Sequence, residues 1–419
     1  MNDASNREHV VIVGAGQAGY AVAVELRKLH YPGLITMLGQ EPHSPYQRPP
    51  LSKAYLAGEV TQDKLMLMAG PRLQDAGIEF VGGADVVGID RQRKCVSLGN
   101  GRLIPYDRLA LTIGGKNRCL PLPGADRCNV MSLRSIDDVN RMRTYWKLGA
   151  HLVIIGGGFI GLEVAAVAVR AGLRVTLLES LPQVLSRVTV PEVSQFFEEV
   201  HRTAGVEIRT NAQVTGLEGA TAVTHVLLAD GSRIEADLVL VGIGLVPNTG
   251  LAEEAGLECK DGIIVDEFAR TSDPDIVAAG DCTSHPSSYA DRRLRLESVQ
   301  NATDQARTAA ATLCGHSKPY RAVPWFWSDQ YDLKLQMVGL SANHDCRVMR
   351  GDPASQSFSV FYFRAGRLIA ADSVNRMQDH MLARQLIAQG ARPDPQRMAD
   401  ESIGLREAVA SSQRPTDSR

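Results

Sequence analysis

The chain has 419 residues, 44% of them hydrophobic and 22% charged, the balance of an ordinary globular protein of two or three domains. A formal net charge of −2 supplies no field for nucleic acid or an anionic membrane, and no run approaches the ~18 apolar residues of a membrane span. The polar start, residues 1–8, leads into a fold strand and not a signal peptide, so the expectation is a soluble, cytoplasmic protein.

The first predicted element is the apolar strand Val10-Val11-Ile12-Val13. It runs into GAGQAG (Gly14 to Gly19) and an Ala/Val/Leu-rich segment of helical length. The second predicted strand, Leu34 to Leu38, ends in Gly39-Gln40-Glu41. The stretch from Pro42 to Lys53 is proline-rich and reads as a stiff loop that fixes Arg48 and Lys53 as cations. Short strand patterns follow at 78–81, 85–90 and 94–98, with a hairpin turn at Asn100-Gly101, and then a run over 109–115.

The opening pattern recurs. Leu152 to Ile155 is a strand, GGGFIG spans Gly156 to Gly161, and a helical segment follows. In such turns the first glycine permits the bend and the second lets the main chain approach a pyrophosphate. The third allows helix and strand to pack closely, and the helix N-terminus offers its N–H groups. Two copies imply two dinucleotides in one chain. A ribose-binding acid is expected about 20 residues on. Glu179, at the end of the strand 174–178, sits 18 residues after Gly161, and its charge repels a 2′-phosphate. Ser180 follows where an Arg would favour NADPH, so this site reads as one for NADH. In the first copy the acid is displaced to Glu41 or replaced by the amide of Gln40.

Further along, β patterns appear at 222–228 and 263–266, a Gly280-Asp281 pair closes 271–281, and 297–313 reads as an Ala-rich helix. From Trp325 a separate portion begins, with strands at 358–363 and 368–372 and a helix near 379–389. The polar tail from Ser411 reads as disordered. Seven cysteines, none spaced as CxxC or CxxxxC, and ten scattered histidines predict reduced thiols and no metal site.

Together GAGQAG, RPPLSK (48–53), GGGFIGLE (156–163), TSDPDIVAAGD (271–281) and WFWSDQ (325–330) resemble the FAD-dependent, NADH-oxidising ferredoxin reductases of oxygenase systems, over essentially the whole chain. The resemblance implies an α/β fold with two Rossmann-like dinucleotide domains, as in disulfide-reductase-like flavoproteins, plus an α+β C-terminal domain. A discontinuous FAD domain would span 1–115 and 249–322, the NADH domain 116–248, and the C-terminal domain 323–419. It implies FAD binding by Gly14, Gly16, Ala18, Gly19, Gln40 or Glu41, Arg48, Lys53, Val86, Arg134, Asp281 and the backbone of Val299. For NADH it implies Gly156, Gly158, Ile160, Gly161, Glu179 and Gly244, with Glu297 near the nicotinamide. Two departures touch fine geometry: Thr112-Ile113-Gly114 replaces a usual Ala-Thr-Gly turn, and Phe159 replaces a common Tyr.

Lys53 suits a fixed cation at a reduced flavin, and Glu163 is its expected partner, because a buried charge needs one. The resulting expectation is hydride transfer from NADH to FAD, then single-electron transfers to a 2Fe–2S ferredoxin serving a cytochrome P450-type monooxygenase. Arg307 is the candidate docking residue for an acidic partner, Arg292, Arg293 and Arg295 read as a solvated loop, and Trp327 is a candidate aromatic on the path. A dioxygenase component and a quinone or monodehydroascorbate reductase are the enzyme alternatives. An apoptosis-inducing-factor-like binding protein is the alternative from another class. Disulfide reductases are disfavoured by the missing cysteine pair. Nucleic acid and membrane are not expected partners, and a monomer or weak dimer is expected.

Overall fold

A computed structural model of the protein describes residues 8–290 and 292–410; the tail from Ser411 lies outside the described residues. The chain divides into two compact units. The first contains residues 1–48, 62–116 and 245–324, and the second 49–61, 117–244 and 325–419. The 49–61 segment, assigned from the sequence to the first domain, thus groups with the second unit. The reason is local: Ser52 and Lys53 bond to Glu163, and the Tyr55 hydroxyl donates to Asn140 at 3.0 Å.

In the first unit, five parallel strands stand in the order Ile276–Ala278, Arg108–Leu111, His9–Val13, Leu34–Gly39, Glu79–Gly82. Val10 to Val13 alternate between two cores, which is why the strand is apolar without a break. Val10 and Ile12 pack under helices Gln17–Lys28 and Val299–Leu313, and Val11 and Val13 pack on the opposite face with Val96, Leu98 and Ile104. Ala302, Ala306 and Ala309, spaced along one face of the second helix, are small enough for the two helices to pack closely. The opposite face is covered in part by an antiparallel sheet of Val86–Asp90, Cys95–Leu98 and Leu103–Pro105, close to the strand patterns read from the sequence.

The second unit repeats the plan. Its parallel sheet runs Glu207–Arg209, Arg174–Leu178, His151–Ile155, Leu238–Val241, Val130–Met131, again with the glycine-turn strand in the centre. A second antiparallel trio, Val214–Glu218, His225–Leu228 and Arg233–Glu235, accompanies it. Added to this is a five-stranded antiparallel sheet in the order Trp325–Gln330, Leu333–Gly339, Arg367–Val374, Ser357–Arg364, Cys346–Asp352, with helix Met377–Gln389 packed on it. Asp372 of this sheet accepts from Thr189 and Tyr362 hydroxyls, each at 2.6 Å, and burial pushes its carboxyl up to about 6.

The duplication also reaches the strand starts, where the sequence reading found nothing. His9 Nε2 lies 2.8 Å from the Thr36 hydroxyl, which donates to Glu79 at 2.7 Å. His151, Thr176 and Glu207 repeat this at 2.8 and 2.9 Å. Each threonine spends its one proton on a carboxylate and so must accept from the histidine. Burial lowers both histidine pKa values, consistent with neutral rings. Thr176→Val leaves the buried His151 donor unpaired, which costs about 1–3 kcal/mol, while the exposed Glu207 turns to water. The expected result is an earlier denaturant midpoint for this variant; an unchanged midpoint would contradict the ladder's contribution.

Candidate functional site

The two glycine turns are built alike. Gly14 (φ +108°) and Gly156 (φ +111°) adopt a backbone that side chains disfavour, and a Cβ would fall 2.3 Å from the Thr112 carbonyl oxygen and 2.4 Å from that of Gly242. At the third glycines a Cβ would fall 1.9 Å (Gly19) and 2.2 Å (Gly161) from the carbonyl oxygen of the first. The middle glycines differ from both. A Cβ on Gly16 or Gly158 would meet no protein atom within 4 Å, so the main chain there faces open space. The helices that begin here have no side-chain cap and no acid in the first turn, which leaves their N–H groups and positive dipole end for an anion. Bend, close packing and an open middle position are the features that a pyrophosphate cradle requires, and both turns have them. The departure at Thr112 is used locally, since its hydroxyl donates to Gly14 O at 2.8 Å and braces the bend.

The second strands end differently. Glu179 reaches back over its turn and accepts from the N–H groups of Gly157 at 2.7 Å and Leu181 at 2.8 Å. The strand ladders align Leu38 with Leu178, because Gly14 and Gly156 donate to them at the same 2.8 Å. The first-copy counterpart of Glu179 is therefore Gly39. A side chain there would collide with the Ala15 methyl (2.9 Å to a Cβ), where the second copy has Gly157. Gln40 lies one residue beyond, exposed, with a 3.4 Å contact to Asp85. Glu41 is engaged on both oxygens, by Arg48 at 2.6 Å and by the Tyr46 hydroxyl at 2.5 Å. Burial lowers the Arg48 pKa, but Tyr46, Glu41 and Asp281 outweigh it, and the net shift is upward. Asp281 follows Gly280 (φ +90°), whose Cβ position is 3.1 Å from the Ala18 methyl; this close approach sets Asp281 beside the first turn's helix.

In the second unit Lys53 Nζ lies 2.6 Å from Glu163 Oε2. Glu163 is 2% exposed and accepts two further bonds, from Ser52 at 2.5 Å and from Ser328 at 2.6 Å. Three donors around one buried carboxylate satisfy the demand that a buried charge be both paired and hydrogen-bonded. The pairing was legible from the sequence. The two serines were not, although both lie in the quoted motifs RPPLSK and WFWSDQ.

The remaining candidates fall as follows. In the first unit, Val86 packs against the core beneath the sheet and Val299 opens its helix behind the Ser298 cap. Glu297 pairs with Arg295 at 2.5 Å. Arg307 is exposed and pairs with Asp304 at 2.7 Å. In the second unit, Ile160 is 43% exposed, Gly244 (φ +105°) has open space at its Cβ position, and Arg134 N–H donates to Asp138 at 2.9 Å. Trp327 stacks beside Trp325 (5.4 Å), and Phe159 lies against Phe326 (4.6 Å). Of the arginine run, Arg292 and Arg293 are exposed, as the solvated-loop reading expects, and Arg295 is partly buried. Arg293 donates to the Val265 and Ser284 carbonyls, and Arg295 bridges Asp261 and Glu297, because carbonyls and acids surround the turn. All seven cysteines are free, and among the described residues no cluster of three or more metal-ligating side chains occurs.

With this geometry in view, comparison with known proteins places the chain. Residues 8–306 match the pyridine nucleotide-disulphide oxidoreductase family, and residues 325–409 match the reductase C-terminal family. The chain belongs to the pyridine nucleotide-disulphide oxidoreductase family and is an oxidoreductase that uses FAD and a pyridine nucleotide. It is 46% identical over 411 residues to putidaredoxin reductase of Pseudomonas putida, covering 97% of each chain. It is 44% identical to rhodocoxin reductase of Rhodococcus erythropolis, covering 96% of this chain and 94% of the other. Among solved structures it resembles the covalent putidaredoxin reductase–putidaredoxin complex, with a TM-score of 0.94, 45% identity and coverage of 97% and 99%.

The glycine geometry separates folding from binding. Gly16→Ala is expected to fold normally yet purify with less flavin. Gly158→Ala is expected to keep its flavin while binding NADH about tenfold more weakly, ~1.4 kcal/mol. Absorbance ratios of purified protein and NADH titration measure both, and unchanged binding in the two variants would remove the cradle assignment.

Proposed function

We propose that the protein passes electrons from NADH through FAD to a 2Fe–2S ferredoxin that serves a cytochrome P450-type monooxygenase, in the cytoplasm. The observation that carries this reading is the pair of open pyrophosphate cradles in a chain whose cysteines form no disulfide. Two cradles call for two nucleotides, and without an internal dithiol the electrons leave for a separate acceptor. The relatives point to which acceptor: one solved neighbour is a reductase joined to putidaredoxin, and another is the ferredoxin reductase for the CYP199A2 system from Rhodopseudomonas palustris, 44% identical with a TM-score of 0.93.

The first unit takes FAD. Gly14, Gly16, Ala18 and Gly19 shape the pyrophosphate cradle, with Val86, Asp281 and the Val299 backbone around the cofactor. Gln40, exposed at the end of its strand, is assigned the adenosine ribose as the resemblance implies, while Glu41 is drawn into the pairing with Arg48 and the Tyr46 hydroxyl. The second unit takes NADH on Gly156, Gly158, Ile160, Gly161 and Gly244, with Glu179 at the ribose. FAD when bound supplies the exchange between a two-electron hydride donor and a one-electron acceptor. Lys53, held by Glu163, provides a fixed cation suited to that chemistry, and Arg134 and Glu297 keep the roles that the resemblance gives them. The three-domain division into 1–115 with 249–322, 116–248 and 323–419 is part of the same reading.

Two outcomes test it. Mixed anaerobically with reduced protein, an oxidised 2Fe–2S ferredoxin should oxidise the flavin faster than quinone or monodehydroascorbate does; preference for the small acceptors would sink the reading. Arg307→Glu should slow ferredoxin reduction about tenfold at low salt and less at high salt, since an exposed charge acts through screened steering. Its NADH-to-ferricyanide turnover should stay unchanged, and equal loss in both assays would remove the docking role.

A further inference from the structure

Strand Trp325–Gln330 packs along helix Phe159–Arg170, the helix that begins at the second glycine turn. Its alternation sends Ser328 and Gln330 to the same side, and both are buried. From Glu163 a line of hydrogen bonds then runs inward. Ser328 Oγ lies 2.6 Å from Glu163 Oε1, Gln330 Nε2 lies 3.1 Å from Ser328 Oγ, and His201 Nε2 lies 2.9 Å from Gln330 Oε1. The Tyr331 hydroxyl lies 3.1 Å from His201 Nδ1. Ser328, Gln330, His201 and Glu163 are each at most 2% exposed.

The direction of every bond in this line follows from one charge. A carboxylate has no proton to give, so Ser328 must donate its single hydroxyl proton to Glu163. The serine oxygen can then only accept, and the Gln330 amide must turn its N–H toward it. That leaves the amide oxygen facing His201, whose Nε2 must carry the ring proton. Nδ1 is thereby a bare lone pair, filled by the Tyr331 hydroxyl. A neutral ring is required, and burial, partly offset by Gln330, lowers the His201 pKa to about 4. At the far end the Tyr331 ring meets His201 at a tilt of 58° (centroids 4.9 Å) and lies under the Arg170 guanidinium (5.3 Å), which closes the same helix that carries Glu163.

We propose that Tyr331, His201, Gln330 and Ser328 are positioning residues: a one-way hydrogen-bond chain, polarised by the Glu163 charge, that holds the Glu163–Lys53 pair against the C-terminal sheet. Aligned donors strengthen one another in such a chain, so the carboxylate is held more firmly than by Ser328 alone. Its meaning for catalysis rests on the role proposed above for Lys53, whereas the chain itself does not.

The chain predicts a spectroscopic response remote from the changed residue. In Glu163→Gln, the Lys53 ammonium and Ser52 hold the new amide oxygen on their side, so its N–H₂ faces Ser328. The serine proton then turns to Gln330, the Gln330 amide flips, and His201 becomes the Nδ1–H tautomer donating to Tyr331. Long-range ¹H–¹⁵N spectra of histidine-labelled, FAD-loaded protein read the ring tautomer, with the His201 signal identified by its loss in His201→Asn. The expected result is Nε2–H in the wild type, Nδ1–H in Glu163→Gln, and no response to Glu163→Gln when Gln330→Leu is also present. An Nδ1–H wild type, or one tautomer in both proteins, would overturn the chain. Should Glu163→Gln fail to fold, Ser328→Ala serves instead, and His201 should then populate both tautomers. Positioning is read separately: acylation of Lys53 by an amine-reactive ester should rise about fivefold in His201→Leu, the equivalent of one net hydrogen bond. It should return to the wild-type rate in His201→Gln, whose amide N–H replaces the ring donor; equal rates in His201→Leu and wild type, or no recovery in His201→Gln, would overturn it. A polarised chain in a protein that fails to reduce ferredoxin would leave this inference standing and sink the functional reading alone.

Discussion

A pyrophosphate can be held by main-chain N–H groups only where the main chain itself is bare enough to touch it. That constraint organises both parallel sheets. The central strand of each must end in a bend with φ above +100°, and the helix that follows must start close enough to the bend to aim its first N–H groups at the anion. Gly14 and Gly156 permit the bend, Gly19 and Gly161 permit the approach, and Gly16 and Gly158 leave the contact surface open. The rest of each unit, two apolar faces and their covering elements, serves to hold that strand and helix in register.

A second organising interaction is specific to the second unit. Burying Glu163 would be costly alone, and the fold gives it donors from two stretches of chain, Ser52 with Lys53 and Ser328, the last of which links on to Gln330, His201 and Tyr331. This explains why residues 49–61 group with the second unit, although the sequence reading gave them to the first domain. One charge, once committed to the interior, recruits its surroundings.

The duplicated sheets, the strand endings and the free thiols were readable because they depend on local pattern: apolar runs, glycine spacing and cysteine spacing. The Lys53–Glu163 pair was readable because its residues lie in recognisable motifs and a buried charge must find its opposite. The His-Thr-Glu ladders were not. Each joins residues tens of positions apart that meet only when three strands align, and the one clue was that His9 and His151 are spaced as Gly14 and Gly156 are. The acceptors of the Arg293 side chain were hidden for a related reason, since carbonyls such as those of Val265 and Ser284 carry no sequence signature.

The sequence by itself determined that two strand–glycine-turn–helix units exist, that an acid, Glu179, follows the second strand of the later one, and that no cysteine pair is spaced as CxxC or CxxxxC. These follow from residue type and spacing, which the unfolded chain already contains. Only the tertiary structure decided that Gly39 stands where the first copy's acid would be, that Glu41 pairs with Arg48 and Tyr46, and that Glu163 heads a line of oriented hydrogen bonds. Each of those is settled by which atoms compete for one small volume, the Ala15 methyl in the first case and a single serine proton in the last. Such competition arises only when distant segments are packed together.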